Sequence, residues 1–240
     1  MLLDFDGTLA PIVRDPEMAR PLPGTVAVLG RLVARYRLVG VVSGRPAAFL
    51  AEHLAVDGLA RWGSYGLEEV SPDGSVVIAP AAREWAPVVA SVVAAARAEA
   101  QPGVLVEDKG VSVTIHVRNA PAQEGWARGF AASRAQATGL VTHEAKMSVE
   151  LRPPLDVDKG SVVASLVTAS GVAGACFVGD DLGDLSAFSA LRDLVDRGRL
   201  RWAVRVAVLS GESPPEVTAA ADLTVGGPEG VLDLLYRLAG

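Results

Sequence analysis

Five short apolar segments, each containing or ending in glycine, aspartate or serine, constrain the fold of this chain more than any other feature. They are residues 2–6, 38–45, 175–181, 205–211 and 221–227. Strands covered on both faces have continuous apolar runs, so these segments are predicted to form a parallel sheet. Helix-like stretches lie between or after them, at 25–36, 46–54, 159–170 and 231–239. This alternation predicts a doubly wound α/β fold with ligands at the carboxyl ends of the strands.

The middle of the chain has a different pattern, in which apolar and polar residues alternate. In one segment, valines and an isoleucine interleave with Ser112, Thr114, His116 and Arg118. Such alternation is typical of an antiparallel sheet with one apolar and one polar face, and the helix-like stretches 83–100 and 121–139 would cover the apolar face. We therefore predict a smaller α/β domain, 75–153, inserted into a core domain of residues 1–74 and 154–240.

Composition and charge limit the partners of the chain. Its 240 residues have a net charge of -6 and an isoelectric point near 5.1, which argues against nucleic acid or an anionic membrane bound through bulk charge. The single Cys176 cannot form an intramolecular disulfide, and no segment resembles a signal peptide or a membrane span. We expect a cytoplasmic monomer that binds neither nucleic acid nor a membrane.

Two carboxylates end the first apolar segment. Asp4 and Asp6 are two residues apart, so on a strand both side chains leave on the same side, and Gly7 allows a sharp turn after them. Buried charges are costly unless they are paired, so a cation, a shared proton or an exposed strand end is expected here. A strand that runs into a turn with aspartate as its cap is the alternative.

A second acidic group follows another apolar segment. Asp180 and Asp181 end it, and Asp184 comes after a turn. If this strand lies beside the first, the acidic ends of both strands meet. Converging carboxylates would repel one another without a divalent cation, and a site made only of oxygen ligands favours Mg²⁺.

Ser43 and Lys159 are candidate anion-binding residues. Ser43 ends a predicted strand, where its hydroxyl, the Gly44 amide and the next helix N-terminus can hold an anion; capping that helix is the alternative. Lys159 begins a predicted helix, where the helix dipole disfavours a cation, so a carboxylate or phosphate neighbour is indicated unless water solvates it. Arg14 and Arg45 lie near the first two motifs and could bind phosphate or acidic side chains.

Taken in order, these stretches resemble the motifs of the haloacid dehalogenase (HAD) superfamily of phosphotransferases. The matching sequences are DFDGT at 4–8, VVSGR at 41–45, DKG at 158–160 and GDD at 179–181, with Asp184 beyond. The resemblance implies a HAD core in which Asp4 is the nucleophile and Asp6 the general acid/base. The reaction would be hydrolysis of a phosphate monoester through an aspartyl-phosphate.

The same resemblance implies a cofactor and its surroundings. The candidate ligands of Mg²⁺ are Asp4, Asp6 through its carbonyl, Asp180, Asp181 and Asp184. The candidate contacts of the phosphoryl group are the catalytic residues Ser43 and Lys159, together with Thr8, Gly44 and Arg45.

Within this superfamily, the chain is similar to the trehalose-6-phosphate phosphatases. The similar segments are 63–68, 107–118, 149–160 and 179–188. The similarity implies that the inserted domain, 75–153, is a cap that determines substrate specificity, and that the substrate is trehalose 6-phosphate. The cap residues assigned to the sugar are Glu107, Lys109, Glu150 and Arg152. Gly183, Leu185 and Val117 depart from the family pattern without removing an expected catalytic group.

Two other functions stay open at this point. Cap contacts set specificity, so the substrate could be another sugar phosphate, such as sucrose phosphate or glucosylglycerate phosphate. The chain could also be a non-catalytic regulatory module with a phosphatase-like fold. The presence of Asp4, Asp6, Lys159 and Asp180 argues against the second alternative.

Overall fold

The computed structural model describes residues 1–13, 15–145, 147–211 and 213–240. The chain divides into two compact units. The larger consists of Met1–Val77 and Val157–Gly240, and the smaller is Ile78–Asp156. The insertion predicted from the sequence begins at 75 and ends at 153, against 78 and 156 for the smaller unit.

The strands of the described residues form one sheet of eight and one of four. In chain order they are β1 (Leu2–Leu3), β2 (Gly40–Val42), β3 (Ala60–Gly63), β4 (Glu68–Val70), β5 (Val76–Ile78), β6 (Leu105–Asp108), β7 (Val113–His116), β8 (Val141–Ala145), β9 (Ser148–Arg152), β10 (Gly174–Gly179), β11 (Trp202–Leu209) and β12 (Leu223–Gly226).

The helices alternate with these strands over most of the chain. In chain order they are α1 (Thr25–Arg35), α2 (Ala47–His53), α3 (Pro80–Arg83), α4 (Ala86–Glu99), α5 (Glu124–Thr138), α6 (Lys159–Ser170), α7 (Leu185–Asp196), α8 (Pro215–Ala220) and α9 (Gly227–Ala239). Across the described ranges, no helix has both the length and the apolar character that crossing a bilayer requires.

The larger sheet has the order β12-β11-β10-β1-β2-β3-β4-β5. The pairs from β12 to β3 are parallel, and β4 runs antiparallel to β3. The first strand is central, since Leu2 lies in register with Phe177 of β10 on one side and with Gly40 of β2 on the other. The carboxyl ends of β1, β2 and β10, where the sequence motifs occur, are therefore neighbours.

Helices cover both faces of this sheet. Leu3 packs in an apolar cluster with Leu29 of α1 and Leu235 of α9. Its neighbour Leu2 points to the opposite face and belongs to a cluster that includes Phe188 of α7. Burial on both faces explains the uninterrupted apolar runs in the sequence, and the predicted doubly wound α/β fold class is confirmed.

Strands β3 to β5 extend the sheet beyond what the sequence pattern predicts. Their sequences, ARWG, EEV and VVI, are short, and two of the three contain charged residues. The side chains of Val76 and Val77 in β5 are exposed. Strands near the edge of a sheet need no continuous apolar run, because they are not buried on both faces.

The smaller unit contains the antiparallel sheet β6-β7-β9-β8. Val113 and Ile115 of β7 and Leu151 of β9 pack with apolar residues of α4 and α5, including Val89 and Phe130. The alternate residues of these strands, among them Thr114 and Glu150, lie on the other face. The predicted α/β insertion, with an antiparallel sheet and helices, is thus also confirmed.

Candidate active site

A tight turn after β1 fixes the position of Asp4. The backbone amide of Asp4 donates to the carbonyl of Val178 at 2.9 Å, which extends the pairing with β10 to the strand end. The amides of Leu9 and Ala10 both donate to the Phe5 carbonyl, at 2.8 and 3.0 Å, and close the turn. The Asp4 side chain is buried at this strand end.

Gly7 makes the turn and leaves room for Asp180. Its φ of +73° lies in the left-handed region, which glycine adopts without steric cost. A Cβ atom at Gly7 would lie 2.1 Å from Oδ2 of Asp180, closer than any non-bonded contact allows. The turn after β1 and the end of β10 therefore fit together only with glycine at this position.

Three of the predicted acidic residues converge. One carboxylate oxygen from each of Asp4, Asp180 and Asp184 lies within 4.8 Å of the others, and all three residues are buried. The carboxylates of Asp6 and Asp181 lie outside this cluster. Oδ1 of Asp181 instead accepts a hydrogen bond from the Gly183 amide at 2.9 Å and caps the turn at 182–184.

Both carboxylate oxygens of Asp184 accept hydrogen bonds within the protein. Its Oδ1 accepts from Nζ of Lys159 at 2.7 Å, and its Oδ2 accepts from the amides of Asp180 at 2.8 Å and Asp181 at 3.1 Å. Asp184 therefore holds the loop after β10 and the Lys159 side chain in one arrangement. Asp180 differs from Asp184, because its Oδ1 has no hydrogen-bond partner among the described residues.

Lys159 is the first residue of α6, as the sequence predicts. Asp158 caps the helix, since its Oδ1 accepts from the Ser161 amide at 2.8 Å. Nζ of Lys159 lies 2.8 Å from Oδ1 of Asp4 and 2.7 Å from Oδ1 of Asp184, and only 2% of its side chain is exposed. The anionic neighbours expected at this helix start are therefore two carboxylates, and the solvated alternative is wrong.

Burial and mutual repulsion shift the pKa values of the cluster. Burial, with the charges of Asp4 and Asp184 adding to it, raises the pKa of Asp180 to about 9. Burial also raises the pKa of Asp184 to about 6, although Lys159 opposes the shift. Burial disfavours the charged form of Lys159, but the carboxylates of Asp184 and Asp4 outweigh it and hold the Lys159 pKa well above its usual value.

These observations fit a divalent cation. Oδ1 of Asp180 is buried and has no hydrogen-bond partner among the described residues. Such an atom has lost its water without gaining a replacement, a penalty of roughly 1–3 kcal/mol. Mg²⁺ binds carboxylate oxygens and would remove both this penalty and the repulsion between the carboxylates, so Asp4 and Asp180 are suitable ligands.

Ser43 and Thr8 lie buried near the strand ends. Ser43 follows β2, and its Oγ accepts a hydrogen bond from the Arg45 amide at 3.2 Å. The next helix begins at Ala47 with Pro46 at its cap position, so Ser43 does not cap it. Oγ1 of Thr8 is buried with no hydrogen-bond partner in the described part of the chain. Both hydroxyls belong to the same edge of the sheet as Asp4.

Arg45 binds an acidic neighbour. Its Nε and one terminal nitrogen donate to the two carboxylate oxygens of Asp6, each at 2.6 Å, and its other terminal nitrogen donates to the Pro16 carbonyl at 2.7 Å. The guanidinium also lies over the ring of Phe49, 4.8 Å from its centroid. This fixes the orientation of Asp6, whose side chain is 35% exposed. Arg14 lies outside the described residues.

The segment 63–68 supports Ser43, a role that motif matching did not assign. The Tyr65 amide donates to the Ser43 carbonyl at 2.9 Å. Oε2 of the buried Glu68 accepts from the Ala47 amide at 2.8 Å and from the Ser64 hydroxyl at 3.0 Å. Gly44 permits this packing, because a Cβ there would lie 2.6 Å from Cζ of Tyr65. In the sequence, the only sign of this role is Glu68, which lies five residues after Gly63 at the end of β3.

The four predicted sugar-binding residues lie on or beside the smaller sheet. Oε1 of Glu150 accepts from Nζ of Lys109 at 3.3 Å and from the Ser112 hydroxyl at 2.6 Å. Oε2 of Glu107 lies 2.8 Å from Nε2 of His116. Arg152, the last residue of β9, is half-buried. The smaller unit therefore has a face of oriented carboxylates and cations.

The fold is that of the haloacid dehalogenase-like hydrolases. A haloacid dehalogenase-like hydrolase from Bacteroides thetaiotaomicron superposes with a TM-score of 0.66 at 17% identity, over 99% of this chain and 98% of that one. The structure of a trehalose-6-phosphate phosphatase related protein superposes with a TM-score of 0.83 at 24% identity, over 99% of this chain and 96% of that one.

The sequence comparison is more specific. The family model described as trehalose-phosphatase matches residues 2–224, so the chain belongs to the trehalose-phosphatase family. The trehalose-phosphate phosphatase of Mycolicibacterium paratuberculosis is 40% identical over 202 residues, which cover 80% of this chain and 51% of that protein. The chain thus spans about half the length of this relative.

Proposed function

We propose that this chain is a Mg²⁺-dependent phosphatase that hydrolyses trehalose 6-phosphate to trehalose and inorganic phosphate. The observation that carries the proposal is the environment of Asp4, whose Oδ1 lies 2.8 Å from Nζ of Lys159 in a buried cluster with Asp180 and Asp184. Membership of the trehalose-phosphatase family supports the choice of substrate.

The chemistry requires charge neutralisation and an in-line nucleophile. Phosphate monoesters are among the slowest biological substrates to hydrolyse in water, because the phosphoryl group repels nucleophiles and its leaving group is a poor one. Mg²⁺ held by Asp4 and Asp180 would supply positive charge beside the phosphoryl oxygens. Lys159 adds a second positive charge, and the buried hydroxyls of Ser43 and Thr8 can donate hydrogen bonds to the same oxygens.

In the first step, a carboxylate oxygen of Asp4 attacks phosphorus while the bond from phosphorus to the sugar oxygen breaks. Asp6 donates its proton to the departing alkoxide, so trehalose leaves as a neutral alcohol and Asp4 carries the phosphoryl group. The ion pair with Lys159 keeps the Asp4 carboxylate in a fixed orientation for this attack.

In the second step, Asp6 accepts a proton from water as the water oxygen attacks phosphorus. The bond between phosphorus and Asp4 breaks, phosphate leaves, and Asp6 again carries the proton with which the cycle began. Arg45 orients Asp6 through both carboxylate oxygens, and the partial exposure of Asp6 allows the leaving group and water to reach it.

Residues 78–156 are proposed to be the cap that determines specificity. The proposal rests on the polar face of their sheet, where Glu107 and Glu150 are held by His116 and Lys109. Carboxylates and ammonium groups on a desolvated surface pair well with sugar hydroxyls, which both donate and accept hydrogen bonds. Arg152 is the fourth candidate contact.

Phosphate release from a panel of sugar phosphates tests the proposal. The panel contains trehalose 6-phosphate, sucrose 6-phosphate and glucosylglycerate phosphate, each assayed with Mg²⁺ and with excess EDTA. We expect trehalose 6-phosphate to give the highest kcat/KM, and EDTA to abolish the activity. Preference for another sugar phosphate would contradict the substrate assignment, and absence of turnover with every ester would favour a regulatory module.

The Asp4→Asn variant tests the nucleophile. The substitution keeps the size of the side chain but replaces the carboxylate by a neutral amide, which is a far weaker nucleophile, so kcat should fall on the order of 10³-fold or more. Asp57→Asn is the matched control, because Asp57 is an exposed aspartate of the same unit outside the cluster. A kcat for Asp4→Asn within tenfold of the control would refute the assignment of Asp4.

A further inference from the structure

Thr114 has a buried hydroxyl without a hydrogen-bond partner. It lies in the middle of β7, and its neighbours Val113 and Ile115 both face the apolar core of the smaller unit. Thr114 therefore points to the polar face of the sheet. The residue is 4% exposed, and its Oγ1 has no partner within the described ranges. Buried polar atoms are normally paired, so an unpaired hydroxyl requires an explanation.

Strand register places Thr114 between two carboxylate side chains. Thr114 pairs with Glu107 of β6 on one side and with Glu150 of β9 on the other, and Glu150 pairs in turn with His143 of β8. Neighbouring strands are about 4.8 Å apart, so the backbones at Glu107 and Glu150 are separated by roughly 10 Å with Thr114 midway. A row of polar side chains thus crosses the sheet.

The carboxylates of this row are oriented by other residues. Glu107 is held by His116, and Oε1 of Glu150 receives hydrogen bonds from both Lys109 and Ser112. Neither glutamate bonds to the Thr114 hydroxyl. The Thr114 hydroxyl therefore takes no part in the hydrogen bonds that the described residues make within the sheet, although it lies at the centre of this row.

A sugar hydroxyl has the chemistry that the unpaired Thr114 hydroxyl requires of a partner. Carboxylate oxygens only accept hydrogen bonds, whereas a threonine hydroxyl both donates and accepts. A row with both kinds of group can pair with neighbouring hydroxyls of one sugar ring, each of which also donates and accepts. We infer that Thr114 binds a sugar hydroxyl between Glu107 and Glu150, and so helps to determine which sugar phosphate is hydrolysed. This inference rests on the proposed sugar-phosphatase function.

Three variants of the full chain test the inference. Thr114→Val replaces the hydroxyl by a methyl group of similar shape, and Thr114→Ser keeps the hydroxyl. Thr142→Val is the matched control on the same sheet, because Thr142 is exposed and lies in register with the core residue Leu151. For each variant, kcat/KM is measured for the preferred sugar phosphate of the panel and for p-nitrophenyl phosphate, which has no sugar.

The informative quantity is the ratio of kcat/KM for the sugar phosphate to that for p-nitrophenyl phosphate. We expect Thr114→Val to lower this ratio about tenfold, the equivalent of one lost hydrogen bond, mainly through a higher KM. Thr114→Ser should retain most of the ratio, and Thr142→Val should match the unmodified protein. The melting temperature of Thr114→Val should not decrease, since the substitution removes an unpaired buried hydroxyl.

The possible results separate this inference from the proposed function. An unchanged ratio in Thr114→Val, or an equal loss in Thr114→Ser, overturns the inference and leaves the proposed function standing. If the unmodified protein prefers a sugar phosphate other than trehalose 6-phosphate, the proposed substrate is wrong, and a loss in Thr114→Val on the preferred one still supports the inference. Hydrolysis of p-nitrophenyl phosphate alone overturns both.

Discussion

Replacing Gly7 by alanine should disrupt the acidic cluster without altering any charged group. The new Cβ would lie 2.1 Å from Oδ2, 2.3 Å from Cγ and 2.6 Å from Oδ1 of Asp180. Asp180 has a short side chain at the end of β10, and its amide is tied to Asp184, so the carboxylate has to move as a whole. We therefore expect Asp180 to leave the position in which it faces Asp4.

Alanine at position 7 lowers stability in two ways, through its left-handed backbone conformation and through its clash with Asp180. A control variant can separate these two costs. An L-residue in the left-handed region costs roughly 1–2 kcal/mol, and Gly7 has a φ of +73°. Gly171, at the end of α6, has a φ of +62°, and a Cβ atom added there would have no neighbouring heavy atom within 4 Å. Gly171→Ala should therefore show the backbone cost alone, a decrease in melting temperature of about 2–8 °C for a chain of this size.

The assay is thermal unfolding with and without Mg²⁺, together with phosphate release. A ligand at 100 times its Kd stabilises the folded state by about 2.7 kcal/mol, or roughly 5–11 °C in this size range. The unmodified protein and Gly171→Ala should both show such an increase and remain active. Gly7→Ala should lose most of the increase and most of the activity. A Mg²⁺-dependent increase in Gly7→Ala equal to that of Gly171→Ala would refute the reasoning.

Two further predictions concern Arg45 and Cys176. Arg45→Lys loses one of the two hydrogen bonds that hold the Asp6 carboxylate, so kcat should fall about tenfold or more relative to an Arg61→Lys control. An unchanged kcat would contradict the orienting role of Arg45. Burial raises the pKa of the Cys176 thiol from 9.0 to about 11. The folded state therefore favours the protonated thiol, and the free energy of unfolding should decline as pH rises from about 9 towards 11. At pH 8, the thiol of the native protein should react with a disulfide reagent far more slowly than the thiol of the protein unfolded in guanidinium. Equal rates in the two states would contradict this.

The sequence predicts the central part of the fold because burial leaves a clear pattern there. Leu2, Leu3 and Phe177 lie in strands covered on both faces, which require continuous apolar runs. The alternation around Thr114 likewise follows from a sheet with two unlike faces. Strands β3 to β5 leave no such pattern, since short strands near a sheet edge are specified by pairing with their neighbours rather than by side-chain periodicity.

The site could be predicted in its residue types but not in its contacts. The strand ends in the sequence indicate that Asp4 and Asp180 meet, because both follow strands of the central sheet. That Lys159, the first residue of α6, joins them is implied by the family resemblance. Which residues form hydrogen bonds with Asp184 and Arg45 depends on distances of a few ångströms between side chains, and the sequence does not contain these distances. Asp184 hydrogen-bonds inward to Lys159 and two amides, and Arg45 binds Asp6, neither of which a linear pattern specifies. The unpaired hydroxyl of Thr114 is also invisible in the sequence.

The central place of β1 has a consequence for how the protein is made. Asp4 leaves the ribosome long before Asp180, because Asp4 follows β1 whereas Asp180 follows β10, and the whole smaller unit is synthesised between them. Contacts between such distant parts of a chain form slowly, and β1 cannot gain its second neighbour until β10 has been synthesised. Assembly of the acidic cluster is therefore a late event in biogenesis, and a nascent chain that stalls before β10 contains Asp4 but neither Asp180 nor Asp184.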